Sequence, residues 1–206
     1  QLIIRGVSLD HLVAGASFED VAHLLFEGLF GHVPDPAELG RRLGQKRVEV
    51  FRHVSAIDGD LLALPPVDIM RALIARLPDG DDLETALGLL AAPAVFLPAA
   101  LRLKGGKAPV APTPQLSHAA DILAMLGARR PSTDGVAALD AYLVTISDHG
   151  LNASTFASRV VASTKAGLTS SVLAAISALK GPLHGGAPGP VLDMLDAIAT
   201  PERAEG

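Results

Sequence analysis

Apolar side chains recur every three or four residues along most of the chain, which is the period of an α-helix. In the segment 18–30, Val21, Leu24 and Leu25 share one face, and Ser17 precedes them as a candidate N-cap. The same period predicts further helices over 36–55, 68–77, 116–126, 134–146, 152–165, 168–180 and 191–199, and residues 81–104 are a long apolar stretch. A strand signal is confined to residues 2–7, so the pattern predicts an all-α fold.

Residues 85–101 form the most apolar stretch and carry no charged side chain. The stretch is slightly short for a bilayer span and contains Pro93 and Pro98, which break or kink helices. We therefore expect a buried pair of helices at a subunit interface, and no membrane segment.

Composition narrows the possible functions. The chain has no cysteine, which removes disulfides, thiolate nucleophiles and cysteine-bound zinc and is typical of the cytoplasm. The formal net charge is −5 and aromatic residues make up 3%, so no nucleic-acid partner is expected. No segment has the pattern of a targeting signal.

Two segments between the predicted helices are rich in glycine and proline. Residues 105–114 also contain lysine, and we expect them to form a mobile loop. Residues 181–190 contain His184 among three glycines, and Pro182 stiffens the approach to it. A rigid histidine on such a loop can donate a hydrogen bond to a developing oxyanion, although composition alone favours an incidental surface turn equally.

A second histidine lies between two predicted helices. His149 ends one helix, Gly150 can take the left-handed turn after it, and Asn152 can cap the next helix. A histidine beside a helix N-terminus could bind a carboxylate. Spacing alone favours a simple joint between helices.

The sequence does not predict a hydrolase triad or a metal site. Ser147, Asp148 and His149 are adjacent, so they cannot converge as a hydrolase triad does. The remaining histidines, including His118 at a predicted helix start, are interpreted as structural. No metal-ligand spacing occurs, so we expect no metal site.

The two loops together resemble the citrate synthase family. Residues 151–164, LNASTFASRVVAST, are similar to that family's oxaloacetate-loop helix, and residues 176–187, ISALKGPLHGGA, to its catalytic-histidine segment. The opening LIIRGV at 2–7 fits as well, and the resemblance covers essentially all 206 residues.

The resemblance implies that residues 1–206 are an all-helical large domain that forms a homodimer. It implies a Claisen-type condensation of acetyl-CoA with oxaloacetate, giving citrate and CoA. No cofactor would be bound permanently, because the coenzyme A thioester is a substrate. A 2-methylcitrate synthase that uses propionyl-CoA, or a non-catalytic helical dimerisation or binding domain, are the alternatives.

The resemblance also assigns roles to residues. His184 would be catalytic, donating to the thioester oxygen and stabilising the enol. Substrate binding would fall on His149, Asn152 and Ser154, and Ser154 would orient the His184 ring. Leu183 and Gly185 would lie beside the CoA thioester.

Some positions depart from the family pattern, and part of the family's site falls outside the chain. Ile146, Gly150 and Pro188 stand where His, Glu and Asn are common, which leaves the acyl preference open. Family members continue into a small domain that supplies a second catalytic histidine and the aspartate base. We therefore expect the 206-residue chain alone to be inactive.

Overall fold

A computed structural model describes residues 2–128, 130–148, 150–185 and 188–200, with the backbone alone at Pro188. These residues form a two-residue-strand hairpin, β1 (Ile3–Ile4) and β2 (Val7–Ser8), paired antiparallel. The helices are α1 (Leu9–Gly15), α2 (Phe18–Phe26), α3 (Pro36–Phe51), α4 (Gly59–Ala63), α5 (Pro66–Ile74), α6 (Leu83–Lys104), α7 (His118–Leu126), α8 (Thr133–Thr145), α9 (Ala153–Ser163), α10 (Leu168–Leu179) and α11 (Pro188–Ile198). A 3-10 helix, Arg52–Ala56, continues α3. The predicted all-α class is confirmed.

Most helices begin where a short polar side chain can accept a backbone N–H. Ser17 accepts from the Asp20 N–H while Asp20 accepts from Ser17 in return, which is a capping box. Asn152 accepts from the Thr155 N–H at 3.0 Å and starts α9 in the same way. The predicted caps at both positions are therefore confirmed.

The core is built around α6, which packs against α3, α5, α7 and α10. Its interior side chains Leu87, Ala91 and Phe96 are fully buried, and they meet Leu39 and Leu43 of α3, for which the same holds. A smaller cluster, Ile4, Leu12, Val21 and Val144, joins the N-terminal hairpin to α1, α2 and α8. Burial of apolar area of this kind is the main driving force for the fold.

The expected pair of helices is a single helix, because α6 runs unbroken through Pro93 and Pro98, while the expected burial is confirmed. Each proline removes one backbone hydrogen bond, and burial against several neighbouring helices offsets that loss. The helix is long and apolar enough to cross a membrane by composition, but 61% of its apolar window is buried inside the protein. It is therefore the central core helix.

Several predicted boundaries also need correction. The first predicted helix ends at Phe26 rather than residue 30, since the chain turns through Gly28 at φ +75°. The predicted strand over 2–7 is a tight hairpin, and short α1 and α4 were not predicted because their apolar pattern spans too few turns. The last helix begins at Pro188, inside the loop predicted over 181–190.

A buried polar network joins α3 to α7. Arg47 Nε donates to Asp121 Oδ2 at 2.6 Å, and both side chains are 0% exposed. Arg47 also donates to the Leu116 carbonyl at 2.8 Å and lies 3.3 Å from His118 Nδ1. Glu19 accepts from the His118 backbone N–H at 2.8 Å. Every buried side-chain polar atom in the described part of the chain has a partner.

The loop over 105–114, expected from the sequence to be mobile, contacts α3, α6 and α7 directly. The Thr113 N–H donates to Asp121 Oδ1 at 2.9 Å, and Arg102 Nε donates to the Ala108 carbonyl at 2.7 Å. A Cβ at Gly44 of α3 would collide with the Pro114 carbonyl oxygen, so the loop packs directly on that helix. The loop is therefore bonded to α6 at Ala108 and to α7 at Thr113.

Candidate active site

Two helices bring the candidate residues together. α9 and α10 pack along each other as an antiparallel hairpin and share the most extensive helix contact in the described structure. The tight connection between them uses Lys165 at φ +59° and Gly167 at φ +96°. The start of α9 and the exit of α10 therefore lie at the same end of the hairpin.

A polar cluster occupies the first turn of α9. Asn152 Oδ1 accepts from the Thr155 N–H, and two hydroxyls also lie within hydrogen-bond distance of it. Ser154 Oγ is 2.7 Å away and Thr155 Oγ1 is 3.1 Å away. The predicted left-handed turn before this cluster is present, since Gly150 has φ +67°. Its N–H donates to Asp148 Oδ1 at 2.7 Å.

His184 lies on a tight turn that folds back on the end of α10. The backbone N–H groups of His184 and Gly185 both donate to the Gly181 carbonyl, each at 3.0 Å. Gly185 is required here by close approach, because a Cβ on it would collide with the Leu179 carbonyl oxygen. The turn thus fixes the backbone at His184 to the last turn of α10.

The ring of His184 contacts the polar cluster directly. Its Nε2 lies 3.0 Å from Ser154 Oγ, although the two residues are 30 positions apart. The ring is half-buried, and its Nδ1 has no hydrogen-bond partner within the part of the chain that the structure describes. The structure therefore brings together His184, Ser154 and Asn152, three of the residues singled out from the sequence.

Two proton arrangements fit these distances, because the Ser154 hydroxyl has a single proton. When Ser154 donates to Asn152, His184 Nε2–H donates to Ser154, and Nδ1 of the neutral ring is bare. When Ser154 turns to donate to His184 Nε2, the ring proton lies on Nδ1, and Thr155 Oγ1 supplies the donor to Asn152 at 3.1 Å. Rotation of one hydroxyl thus decides whether Nδ1 accepts or donates.

Of the other predicted site residues, the structure describes Leu183 and Gly185 but not His149. Leu183 is fully exposed on the His184 turn, next to Gly185. His149 lies outside the described residues, so its predicted carboxylate contact stays a prediction. No group of three His, Asp or Glu side chains that could hold a metal occurs among the described residues.

Two of the remaining histidines, His23 and His118, make structural contacts. His23 Nδ1 lies 2.8 Å from the Pro34 carbonyl oxygen, and His118 stacks on Phe18 with ring centroids 4.5 Å apart. Burial, with the Arg47 guanidinium beside the ring, lowers the pKa of His118 to about 3. His118 is thus a neutral core residue.

Sequence reasoning missed the groups that hold α10 in place. Asp79, between α5 and α6, accepts from the Thr169 N–H at 2.9 Å and from the Ser170 N–H at 3.1 Å. The Ser170 hydroxyl donates to the same carboxylate at 2.5 Å, which with these N–H groups lowers the pKa of Asp79. No local signal marked this cap, because it comes from about 90 residues earlier in the chain. Thr155 was also missed, although the Asn-x-Ser-Thr order at a helix start could have indicated it.

Known proteins are similar to this chain over nearly all of its length. The family model described as "Citrate synthase, C-terminal domain" matches residues 1–206. A 2-methylcitrate synthase of Mycobacterium tuberculosis is 37% identical over 98% of this chain and 54% of its own length. A citrate synthase of Mycolicibacterium smegmatis is 36% identical over 98% of this chain and 56% of its own. The chain therefore spans about half the length of these curated relatives.

Solved structures share the fold. A citrate synthase from Thermotoga maritima MSB8 superposes with a TM-score of 0.77 at 29% identity, covering 100% of this chain and 56% of that one. A Thermoplasma acidophilum citrate synthase, solved as a ternary complex with carboxymethyl coenzyme A and oxaloacetate, gives a TM-score of 0.73 at 25% identity, covering 97% and 55%. Since sequence, family model and three-dimensional fold agree over nearly all of its length, this chain belongs to the citrate synthase family.

Proposed function

We propose that this chain is the large-domain portion of an enzyme that condenses acetyl-CoA with oxaloacetate to give citrate and CoA. The observation that carries the proposal is the 3.0 Å contact between His184 Nε2 and Ser154 Oγ. That contact fixes one ring nitrogen and leaves Nδ1 for a substrate oxygen. The resemblance to the family assigns the same two residues to the site.

The chemistry follows from the free ring nitrogen. With Ser154 donating to Nε2, the Nδ1–H of neutral His184 donates to the thioester carbonyl oxygen. Removal of an acetyl proton by a base then puts negative charge on that oxygen, where an N–H donor stabilises it most. The enol carbon attacks the ketone carbon of oxaloacetate, and hydrolysis of the resulting thioester releases CoA.

The first turn of α9 supplies the proposed oxaloacetate side of the site. Helix N-termini carry free N–H groups and a partial positive charge, which favour a carboxylate. Asn152 and Ser154 lie in this turn, and His149, whose position is a prediction from the resemblance, would add a cationic or neutral donor. Leu183 and Gly185, which flank His184, would contact the acyl-CoA.

The 206-residue chain is expected to be inactive by itself. The described residues around His184 provide an N–H donor but no carboxylate within hydrogen-bond distance of the ring. Enolisation needs a base beside the thioester carbon, and we propose that the part of the enzyme outside these 206 residues supplies it.

The test is CoA release from acetyl-CoA in the presence of oxaloacetate, measured on the protein at the length its whole gene encodes. We expect turnover by the wild type and a loss of about 10²–10⁴-fold in kcat for His184→Ala, with an unchanged melting temperature. His23→Ala is the matched control, because the His23 ring bonds to the backbone carbonyl of Pro34 and not to the polar cluster at the start of α9. Near-normal turnover by His184→Ala would contradict the proposal.

A second candidate function is 2-methylcitrate synthesis from propionyl-CoA and oxaloacetate. The observation that favours it is the 37% identity to the 2-methylcitrate synthase of Mycobacterium tuberculosis. The ratio of kcat/KM for propionyl-CoA to that for acetyl-CoA separates the two candidates. A full-length protein that turns over neither thioester would instead favour a non-catalytic binding or dimerisation domain.

We further propose that the protein is a cytoplasmic homodimer. Large apolar side chains remain exposed on α9, α10, α11 and the His184 turn: Phe156, Val160, Leu179, Leu183, Leu192, Met194 and Leu195. Exposed apolar surface of this kind is typical of a face covered by further protein. Sedimentation of the full-length protein measures the mass, and a monomer at micromolar concentration would contradict the dimer.

A further inference from the structure

Both ends of α10 are held by one neighbouring segment, α5 and the turn that follows it. At the start of α10, the Asp79 carboxylate accepts two backbone N–H groups and the Ser170 hydroxyl. The Leu168 N–H also donates to the Gly80 carbonyl at 2.8 Å. A Cβ at Gly167 would collide with Asp79, so the two segments approach as closely as glycine allows.

The exit of α10 is held from the other end of α5. Lys180 Nζ donates to Asp68 Oδ1 at 2.6 Å, across 112 positions of sequence. Arg71 Nη2 lies 3.2 Å from the same carboxylate oxygen, and Arg71 Nη1 is 3.4 Å from Ser177 Oγ. Asp68, Arg71 and Lys180 line a groove of about 500 Å3 between α5 and α10. The cationic side chains are thus paired with Asp68, and the hydrogen bond from Lys180 lowers the pKa of that carboxyl.

Lys180, whose side chain bonds to α5, lies directly before the turn that carries His184. The Gly181 carbonyl accepts both N–H groups of the turn, so the turn moves with the end of α10. Pro182 and Leu183 are exposed, so their side chains do not anchor the turn to a neighbouring helix. The position of the His184 ring therefore depends on two fixed points, its contact with Ser154 and the exit of α10 at Lys180.

We propose that Asp68 and Lys180 are positioning residues whose ion pair fixes the exit of α10 and so holds the His184 ring against Ser154. This inference rests on the proposed function of His184. An exposed ion pair adds little to global stability, so the pair acts on geometry more than on folding. Misplacement of a catalytic group by about 1 Å can cost up to about 10²-fold in rate.

The first test is steady-state kinetics of the full-length protein. We expect Lys180→Met and Asp68→Asn each to lower kcat about 3- to 10-fold, with KM for oxaloacetate within about twofold and a melting temperature within about 2 °C. Lys180→Arg keeps the charge and should restore most of kcat. The double variant should be no worse than Asp68→Asn alone, because Asp68→Asn already removes the ion pair with Lys180.

The matched control is Glu38→Gln, which removes exposed ion pairs with Arg41 and Arg42 on α3. It should leave kcat unchanged. An unchanged kcat in Lys180→Met, or a loss that Lys180→Arg fails to restore, overturns the positioning role.

A second readout does not need turnover. In the 15N NMR spectrum of the protein, we expect Lys180→Met to shift the His184 ring signals, as loss of the Ser154 contact requires, and Glu38→Gln to leave them in place. If the wild type proves inactive while Lys180→Met still shifts the ring, the proposed function fails and the positioning inference stands. Identical ring signals in wild type and Lys180→Met overturn the inference.

Discussion

Two histidines of this chain lie in polar networks that differ in one decisive respect. His118 is buried with Arg47, Asp121 and Glu19, and each of the buried side-chain polar atoms there has a partner inside the protein. His184 is half-buried; its Nε2 contacts Ser154, and its Nδ1 has no hydrogen-bond partner among the described residues.

The difference separates a network that stabilises the fold from one that can do chemistry. A closed network has no capacity left for a substrate, and its disruption leaves a buried charge without a partner. An open network contributes little to folding but can present one oriented donor. Substitutions in the first should therefore change stability, and substitutions in the second should change rate.

The largest expected effect is on the closed network. Arg47→Met leaves Asp121 buried without its cation, and we expect the free energy of unfolding to fall by about 3–5 kcal/mol. Urea denaturation followed by circular dichroism measures the change. Arg42→Met, which removes exposed ion pairs with Glu38 and Glu84, should cost under about 1 kcal/mol. Equal losses in the two variants would contradict the distinction between the networks.

The next effect is on the open network. Ser154→Ala removes the group that contacts His184 Nε2, and we expect kcat of the full-length protein to fall about 10- to 100-fold. The free energy of unfolding should change by less than about 1 kcal/mol, because the hydroxyl is part-buried rather than fully enclosed. Ser163→Ala, whose hydroxyl donates to the Val160 carbonyl on the same helix, is the control. A stability loss without a rate loss would place Ser154 in the structural class.

The pH dependence of stability should report on His118. Its folded pKa of about 3 lies below the ordinary value of 6.5, so the unfolded chain binds a proton that the folded one excludes. This contribution to stability is fully present above pH 6.5 and is lost progressively as pH falls towards 3. We expect a loss of about 2 kcal/mol between pH 6.5 and 5, measured by denaturation. A His118→Gln variant should show a flatter profile; an equally steep one would assign the loss to other groups.

The smallest effect concerns the cap of α10. Asp79→Ala removes an acceptor for two backbone N–H groups, and we expect the free energy of unfolding to fall by about 1 kcal/mol. Ser132→Ala, which removes an ordinary local cap of α8, offers a comparison of similar size. Asp79→Ala with wild-type stability would show that the long-range cap contributes nothing.

The sequence predicted what depends on local pattern. The helical class, the Ser17 and Asn152 caps and the turn at Gly150 all follow from residues within a few positions of one another, and each is found in the structure. The boundaries were less accurate, because the ends of helices depend on what packs against them. The path of α6 through Pro93 and Pro98 is the clearest case, since burial outweighs the local preference of proline.

Contacts between residues far apart in the sequence could not be predicted from the local sequence pattern. The pairing of Arg47 with Asp121 spans 74 positions, and that of Lys180 with Asp68 spans 112. Nothing near these residues marks them as partners. The contact of His184 with Ser154 was expected only through the resemblance to a family, and its geometry became clear from the hairpin of α9 and α10.

The central claim is that neutral His184 donates through Nδ1, which requires the Ser154 proton to face Nε2. The most direct measurement is the 15N spectrum of the His184 ring in the full-length protein, with oxaloacetate and an unreactive acyl-CoA analogue bound. The account predicts a protonated Nδ1 and an unprotonated Nε2. A neutral ring with its proton on Nε2 and a bare Nδ1 would contradict it.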